Sequence, residues 1–273
     1  MITLGQAAYA AKLLEKGGMS DCNPVQAPME TRLKLSKKST ASAVGSTLYR
    51  SLVGSLRYLI HTRPDISFAV GYISRFMENP TTEHMGAVKH VLRYIAGTLH
   101  FGCCYRKGDG NFRLTGYNDA DLAGDQDDRK STSGSAFFLG QSPVAWHSIK
   151  QPVVALSSCE AEYIAATSVA CQLIWLGQLL GSLYGKAATA AELIIDNQSA
   201  IQLCKNPVFH GRSKHIETRF HFIRESVENG KVAVQHVNTD DQLADIMTKP
   251  LGRVRFQQLR LKIGIVDIKE HLA

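Results

Sequence analysis

The 273-residue sequence lacks any run of 18 consecutive apolar residues, which a membrane-spanning helix would need. Its first residues, Met1–Gln6, lack the basic segment followed by an apolar stretch that is typical of a secretion signal. The six cysteines include no C-x-x-C pair and show no disulfide-framework spacing. We therefore expect no membrane partner, no secretion and free thiols in a reducing compartment.

The net charge of +7 is unevenly distributed along the chain. Residues 1–110 contain 14 Lys and Arg against 7 Asp and Glu, whereas the remaining residues contain 17 of each sign. A basic segment beside a neutral one favours contact of the first with a polyanion and a more local task for the second. Charge alone is equally compatible with a simple contribution to solubility.

The residue pattern changes near Lys107–Gly110. Before this break, apolar spacing predicts mainly helices, at residues 5–16, 47–61, 65–77 and 81–97. After it, the pattern predicts three antiparallel strands, at Phe112–Asn118, Ser133–Leu139 and Val144–Ile149. A long helix at 158–183, with Trp175 in the core, and a buried strand at Leu193–Ile195 follow. Helices at 197–205 and 215–229, a strand at Lys231–Val237, and short helices at 240–248 and 253–261 complete an α/β sheet.

Acidic side chains lie where these predicted elements end. Asp119 closes the first strand after the break, Asp196 follows the fourth, and Asp245 lies in a short helix after the fifth. If the first and fourth strands are neighbours, Asp119 and Asp196 meet at one edge of the sheet. Converging carboxylates repel one another unless a hard divalent cation binds them. Scattered acids more often form a solvated face, and spacing alone leaves both interpretations open.

Six segments after the break resemble the ribonuclease H domain of Ty1/copia retroelements in sequence and in order. They read GYNDADLAGD (116–125), RKSTSG (129–134), ALSSCEAEYIA (155–165), DNQSAI (196–201), RSKHI (212–216) and DQLADIMTKPL (241–251). Three earlier segments resemble the end of the reverse transcriptase and its connection to ribonuclease H. They read YRSLVGSLRYL (49–59), TRPDI (62–66) and LRYIAGT (92–98).

The resemblance implies a fold and a division of the chain. The fold is a ribonuclease H-like mixed five-stranded sheet flanked by helices, preceded by a mainly helical reverse-transcriptase thumb or connection segment. Residues 1–108 would be that segment, residues 109–251 the ribonuclease H domain, and residues 252–273 a C-terminal helix and tail. The polymerase motif Tyr-Val-Asp-Asp is absent, so no polymerase activity is expected.

The resemblance also implies an activity. It is metal-dependent hydrolysis of the RNA strand of RNA–DNA hybrids, with two Mg²⁺ ions or Mn²⁺ in their place. The partners would be the hybrid and other regions of the retroelement polyprotein, in the cytoplasm within a virus-like particle or in the nucleus. A catalytically idle nucleic-acid-binding remnant is the alternative.

Carried over residue by residue, the metal-binding and catalytic set falls on Asp119, Glu162, Asp196 and Asp245. Glu162 is preferred to Glu160 because Ala161-Glu162-Tyr163 fits the family's context, and two positions differ by about 200° around a helix. Asp121 is expected to face a loop; the alternative is that the strand continues, so that Asp121 shares a face with Asp119 and assists the site.

Several features depart from the wider ribonuclease H pattern or extend it. No histidine lies in the loop before Asp245, and Leu122 and Asn118 replace the usual tryptophan and serine around the first aspartates. Arg212, Lys214 and His215 are expected to contact the phosphate backbone. A zinc site at His210, His215 and His221 is disfavoured, because these residues share no helix face and no cysteine lies at finger spacing.

Overall fold

The computed structural model describes residues 1–107, 113–185, 190–205 and 217–271, with the side chains of 217–221 and 271 left aside. The chain forms two compact units. The first unit contains Met1–Lys107, Gln126–Asp128 and Lys249–Ala273, and the second contains Gly108–Asp125 and Arg129–Thr248. Residues 252–273, which the sequence analysis set apart as a separate segment, thus belong to the first unit.

The first unit combines helices with a small antiparallel sheet. Its helices are α1 (Ala7–Lys16), α2 (Ser46–Leu59), α3 (Ser67–Ile73), α4 (Thr82–Ala96) and α8 (Arg253–Lys262). Its strands are β1 (Ile2–Gly5), β2 (Phe101–Tyr105) and β8 (Ile265–Asp267), in the order β1-β2-β8. The helix expected at 65–77 is interrupted, since 3-10 turns at Pro64–Ile66 and Ser74–Phe76 flank α3. This sheet was not predicted from the sequence.

A buried ion pair lies in the first unit. The Asp65 carboxylate accepts two hydrogen bonds from the Arg63 guanidinium, at 2.9 and 2.8 Å, and one from the Tyr94 hydroxyl at 2.6 Å. Arg63 also donates to the backbone oxygen and the hydroxyl of Thr98, both at 2.8 Å. Both charged side chains are almost fully buried. These bonds satisfy groups that would otherwise be costly to remove from water.

The second unit is a five-stranded mixed sheet flanked by helices, which confirms the predicted fold class. Its strands are β3 (Leu114–Ala120), β4 (Thr132–Leu139), β5 (Ser142–Lys150), β6 (Ala191–Ile195) and β7 (Val232–His236). Its helices are α5 (Ser158–Tyr184), α6 (Gln198–Lys205) and α7 (Glu217–Glu228). The strand order is β5-β4-β3-β6-β7. The strands β3, β4 and β5 form an antiparallel meander, and β6 joins it parallel to β3.

Helix α5 packs on the sheet and supplies much of the core of the second unit. Val169 and Leu173 are buried with Leu193 and Ile195 of β6. A Cβ atom at Gly116 would lie 3.0 Å from both helix side chains, so the glycine permits the close approach of α5 to β3. Trp175, predicted to be core, is 55% exposed. The prediction was wrong because α5 presents only one face to the sheet.

By length and composition alone, α5 could also cross a membrane. Among the described helices it is the one that passes this test, and 44% of its apolar window is buried within the protein. Buried core helices pass the same test. Residues Ala161–Ala170 are almost all buried, because α6 and α7 pack on α5 in addition to the sheet. The apolar composition of α5 therefore follows from its place in the core.

Candidate metal centre

Two aspartates meet where neighbouring parallel strands end. Asp119 is the penultimate residue of β3, and Asp196 directly follows β6. The register pairs Asn118 with Ile195, so the two strands reach the same edge of the sheet together. The sequence left open whether these strands are neighbours, and the structure shows that they are.

Glu162, in the second turn of α5, joins the two aspartates. One ligand oxygen from each of Asp119, Glu162 and Asp196 lies within 4.8 Å of the others. Asp119 is 3% and Glu162 4% exposed, whereas Asp196 is half-buried. Burial, followed by the negative charges of Asp119 and Asp196, raises the pKa of Glu162 well above its ordinary value. We refer to these three residues as the carboxylate cluster.

Both oxygens of the Glu162 carboxylate accept hydrogen bonds from strand β3. The Ala120 amide donates to Oε1 at 2.7 Å, and Asn118 Nδ2 donates to Oε2 at 2.9 Å. Glu160 makes different contacts at the start of α5. Its carboxylate accepts from the Leu156 amide at 3.0 Å, and its own amide donates to Ser157 Oγ at 3.2 Å. Ser157 therefore caps the helix, and the Glu160 carboxylate contacts the residue before this cap, whereas Glu162 faces the cluster.

Asp245 lies on a 3-10 turn, Leu243–Met247, where the sequence analysis expected a short helix. It is buried, but it does not belong to the group of ligand atoms within 4.8 Å that the described residues form. Thr248 links its turn to the cluster, because the Thr248 hydroxyl contacts both Asp119 Oδ2 and, at 3.2 Å, the Asp245 backbone oxygen. The structure thus brings three of the four predicted carboxylates together and places the fourth on an adjoining segment.

Comparison with known proteins gives the family. No family model matches the chain. The retrovirus-related Pol polyprotein from transposon RE2 of Arabidopsis thaliana is 45% identical over 265 residues, which cover 97% of this chain and 18% of the relative. The Pol polyprotein from transposon TNT 1-94 of Nicotiana tabacum is 42% identical over 269 residues, covering 96% of this chain and 20% of the relative. The chain belongs to the Ty1/copia-type retrotransposon Pol polyproteins.

The chain spans about a fifth of the length of these Pol polyproteins. Among solved structures, LC11-RNase H1, isolated from compost, superimposes with a TM-score of 0.38 and 14% sequence identity. That match covers 50% of this chain and 93% of LC11-RNase H1.

Two further acidic residues of this Pol segment lie in the loop after β3. The Asp121 carboxylate accepts a hydrogen bond from the Thr132 amide, and Asp125 pairs with Lys150 at 2.7 Å. Asp121 therefore supports the loop between β3 and β4, as the sequence analysis expected. The predicted nucleic-acid contacts Arg212, Lys214 and His215 lie outside the described residues.

Three polar residues beside the carboxylate cluster were missed by the sequence analysis, or noted without a role. They are Asn118, Gln242 and Thr248. Gln242 donates to the Asn118 backbone oxygen at 2.8 Å and accepts from the Ala244 amide at 3.1 Å. Gln242 and Thr248 both belong to the sequence block at 241–251, which was the one signal that could have drawn attention to them.

Proposed function

We propose that the second unit is the ribonuclease H of the retrotransposon and hydrolyses the RNA strand of RNA–DNA hybrids. The observation that carries the proposal is the carboxylate cluster at the ends of β3 and β6, in a chain 45% identical to a Pol polyprotein. Buried carboxylates so close together repel one another in the absence of a cation. Their convergence in a single site favours a metal-binding role.

The chemistry of the donor set fits Mg²⁺, with Mn²⁺ as a substitute. Both are hard cations that prefer carboxylate oxygens. Asp119, Glu162 and Asp196 would hold the metal, and Asp245 would complete the set from its adjoining turn. Two ions held there would supply activation of a water molecule and stabilisation of the leaving oxygen of a phosphodiester.

The remaining residues of the site would orient these ligands. The Ala120 amide and Asn118 hold the Glu162 carboxylate, and the Thr248 hydroxyl contacts Asp119. Recognition of the hybrid would depend on the 2′-hydroxyl and on duplex shape, because base edges are poorly accessible in such duplexes. The basic excess of residues 1–110 supports additional contact with the phosphate backbone. Other Pol regions would be partners, in a cytoplasmic particle or in the nucleus.

Cleavage of a labelled hybrid by the purified full chain tests the proposal. We expect the wild type with Mg²⁺ to release short RNA fragments, and Asp196→Asn to lose this cleavage. Glu228→Gln, which neutralises an exposed acid at the end of α7, is the control and should cleave like the wild type. A wild type that does not cleave, or undiminished cleavage by Asp196→Asn, would refute the proposal. Binding of the hybrid without cleavage would support the idle remnant instead.

A further inference from the structure

Asn118 is fully buried beside the carboxylate cluster. It precedes Asp119 on β3, and its Nδ2 donates to Glu162 twice, to Oε2 at 2.9 Å and to the backbone oxygen at 3.2 Å. Both partner atoms are oxygens, and a backbone oxygen can only accept. This pairing fixes the orientation of the Asn118 amide, because the reversed amide would place Oδ1 against that oxygen.

Burial of the Asn118 side chain lowers the stability of the folded protein. Within the part of the chain that the structure describes, Asn118 Oδ1 has no hydrogen-bond partner. A buried acceptor without a partner is destabilising, and an apolar side chain of similar shape would avoid that cost. The amide therefore contributes something that an apolar residue cannot, and its only donor group is directed at Glu162.

The backbone around Asn118 is itself fixed. Gln242 Nε2 donates to the Asn118 backbone oxygen at 2.8 Å, from the residue that precedes the turn carrying Asp245. The Ala120 amide, two residues further along β3, donates to the other oxygen of the Glu162 carboxylate. The Glu162 carboxylate is thus clamped at both oxygens by one strand, against the repulsion of Asp119 and Asp196.

We infer that Asn118 is a positioning residue that holds the Glu162 carboxylate in its metal-binding orientation before the metal arrives. This inference rests on the proposed function of the cluster. Without the Asn118 donor, only the Ala120 amide of β3 still holds the Glu162 carboxyl group, so its orientation is less restricted. Residues that orient metal ligands in this way typically change metal affinity or activity by about 10–100-fold when they are replaced.

Two variants of the full chain test the role of Asn118. Asn118→Leu keeps the approximate shape and removes the donor, and Asn118→Ala removes the donor with less risk of overpacking. We expect both to bind Mg²⁺ about tenfold more weakly in calorimetric titrations without substrate. Cleavage should need correspondingly more Mg²⁺ for half-maximal rate, while the KM for the hybrid stays unchanged.

A matched control separates positioning from general damage to the core. Thr167 is also buried on α5, and its hydroxyl donates only within the helix, to the Tyr163 backbone oxygen at 3.1 Å. Thr167→Val should bind Mg²⁺ like the wild type. Folded Asn118 variants with wild-type Mg²⁺ affinity would overturn the inference. A wild type that neither binds Mg²⁺ nor cleaves would instead overturn the proposed function.

A measurement on protein with an intact Asn118 covers the case in which both variants fail to fold. The side-chain amide signals of Asn118 in nitrogen-15 NMR spectra should shift when Mg²⁺ is added, because the metal withdraws electron density from the accepting carboxylate. They should also shift in Glu162→Gln without metal. Signals unchanged under both conditions would overturn the inference.

Discussion

Neutralising Asp65 should destabilise the first unit strongly. Asp65→Asn keeps the shape of the side chain but removes the negative charge that faces the buried Arg63 guanidinium. The substituted amide can accept at one atom only, so at least one Arg63 donor or the Tyr94 hydroxyl also loses its partner. Removal of one member of a buried ion pair costs about 3–5 kcal/mol. Typical domains have a free energy of unfolding of about 5–15 kcal/mol, so the loss is a large part of the total.

The effect of Asp65 should depend on pH in a defined direction. Burial would raise the pKa of Asp65, but the Arg63 charge and the hydrogen bonds of Arg63 and Tyr94 outweigh it and hold the pKa below 3.8. A lowered folded-state pKa gives stability that is complete above the unfolded-state value and is lost as pH falls through the folded-state value. The gap between wild type and Asp65→Asn should therefore shrink only in strong acid.

Urea unfolding followed by circular dichroism measures this loss, and hydrogen exchange of peptides from residues 46–105 locates it. The double variant Arg63→Met/Asp65→Leu is the control. It removes both charges, so it should be more stable than Asp65→Asn alone. A free energy of unfolding for Asp65→Asn within about 1 kcal/mol of the wild type, below the range for a broken buried pair, would refute this reasoning.

Two other substitutions probe the second unit. In EDTA, the raised pKa of Glu162 means that stability is complete below its ordinary value of 4.5 and is lost as pH rises through the folded-state value. Asp196→Asn removes one of the repelling charges, so its melting temperature should exceed that of the wild type at pH 8 and approach it towards pH 4.5. Mg²⁺ should raise mainly the melting temperature of the wild type. A difference in melting temperature that is the same at every pH would contradict this reasoning. Gly134→Ala would place a Cβ 2.5 Å from Thr248 Cγ2 and 2.8 Å from Met247 Cβ, so it should cost about 1–3 kcal/mol in chemical denaturation and reduce hybrid cleavage. Gly54→Ala, in an open position on α2 of the first unit, is the control and should instead raise the free energy of unfolding by about 1 kcal/mol. Equal changes in the free energy of unfolding for the two variants would argue against the crowding at Gly134.

The local pattern of apolar residues was sufficient to predict the longer helices and strands of the second unit. The meander β3-β4-β5 and the helix α5 were predicted within a few residues, because alternating and helical apolar periods extend over their whole length. The strands β1 and β8 were not predicted. They have four and three residues, too few for a period to be recognised, and they are ordered by pairing with β2. The prediction that Trp175 is buried failed for a related reason, since the run Ile174-Trp175-Leu176 does not indicate which of its residues faces the sheet.

The sequence by itself determined the kinds of residue at the candidate site and their order along the chain. It identified Asp119, Glu162, Asp196 and Asp245 through motifs that carry the family resemblance. The tertiary structure alone decided the distances, because they depend on the parallel pairing of β3 with β6 and on the packing of α5 over both strands. It grouped three carboxylates and left the fourth on an adjoining turn. It also gave Asn118 a partner 44 residues away, a relation that no local pattern contains.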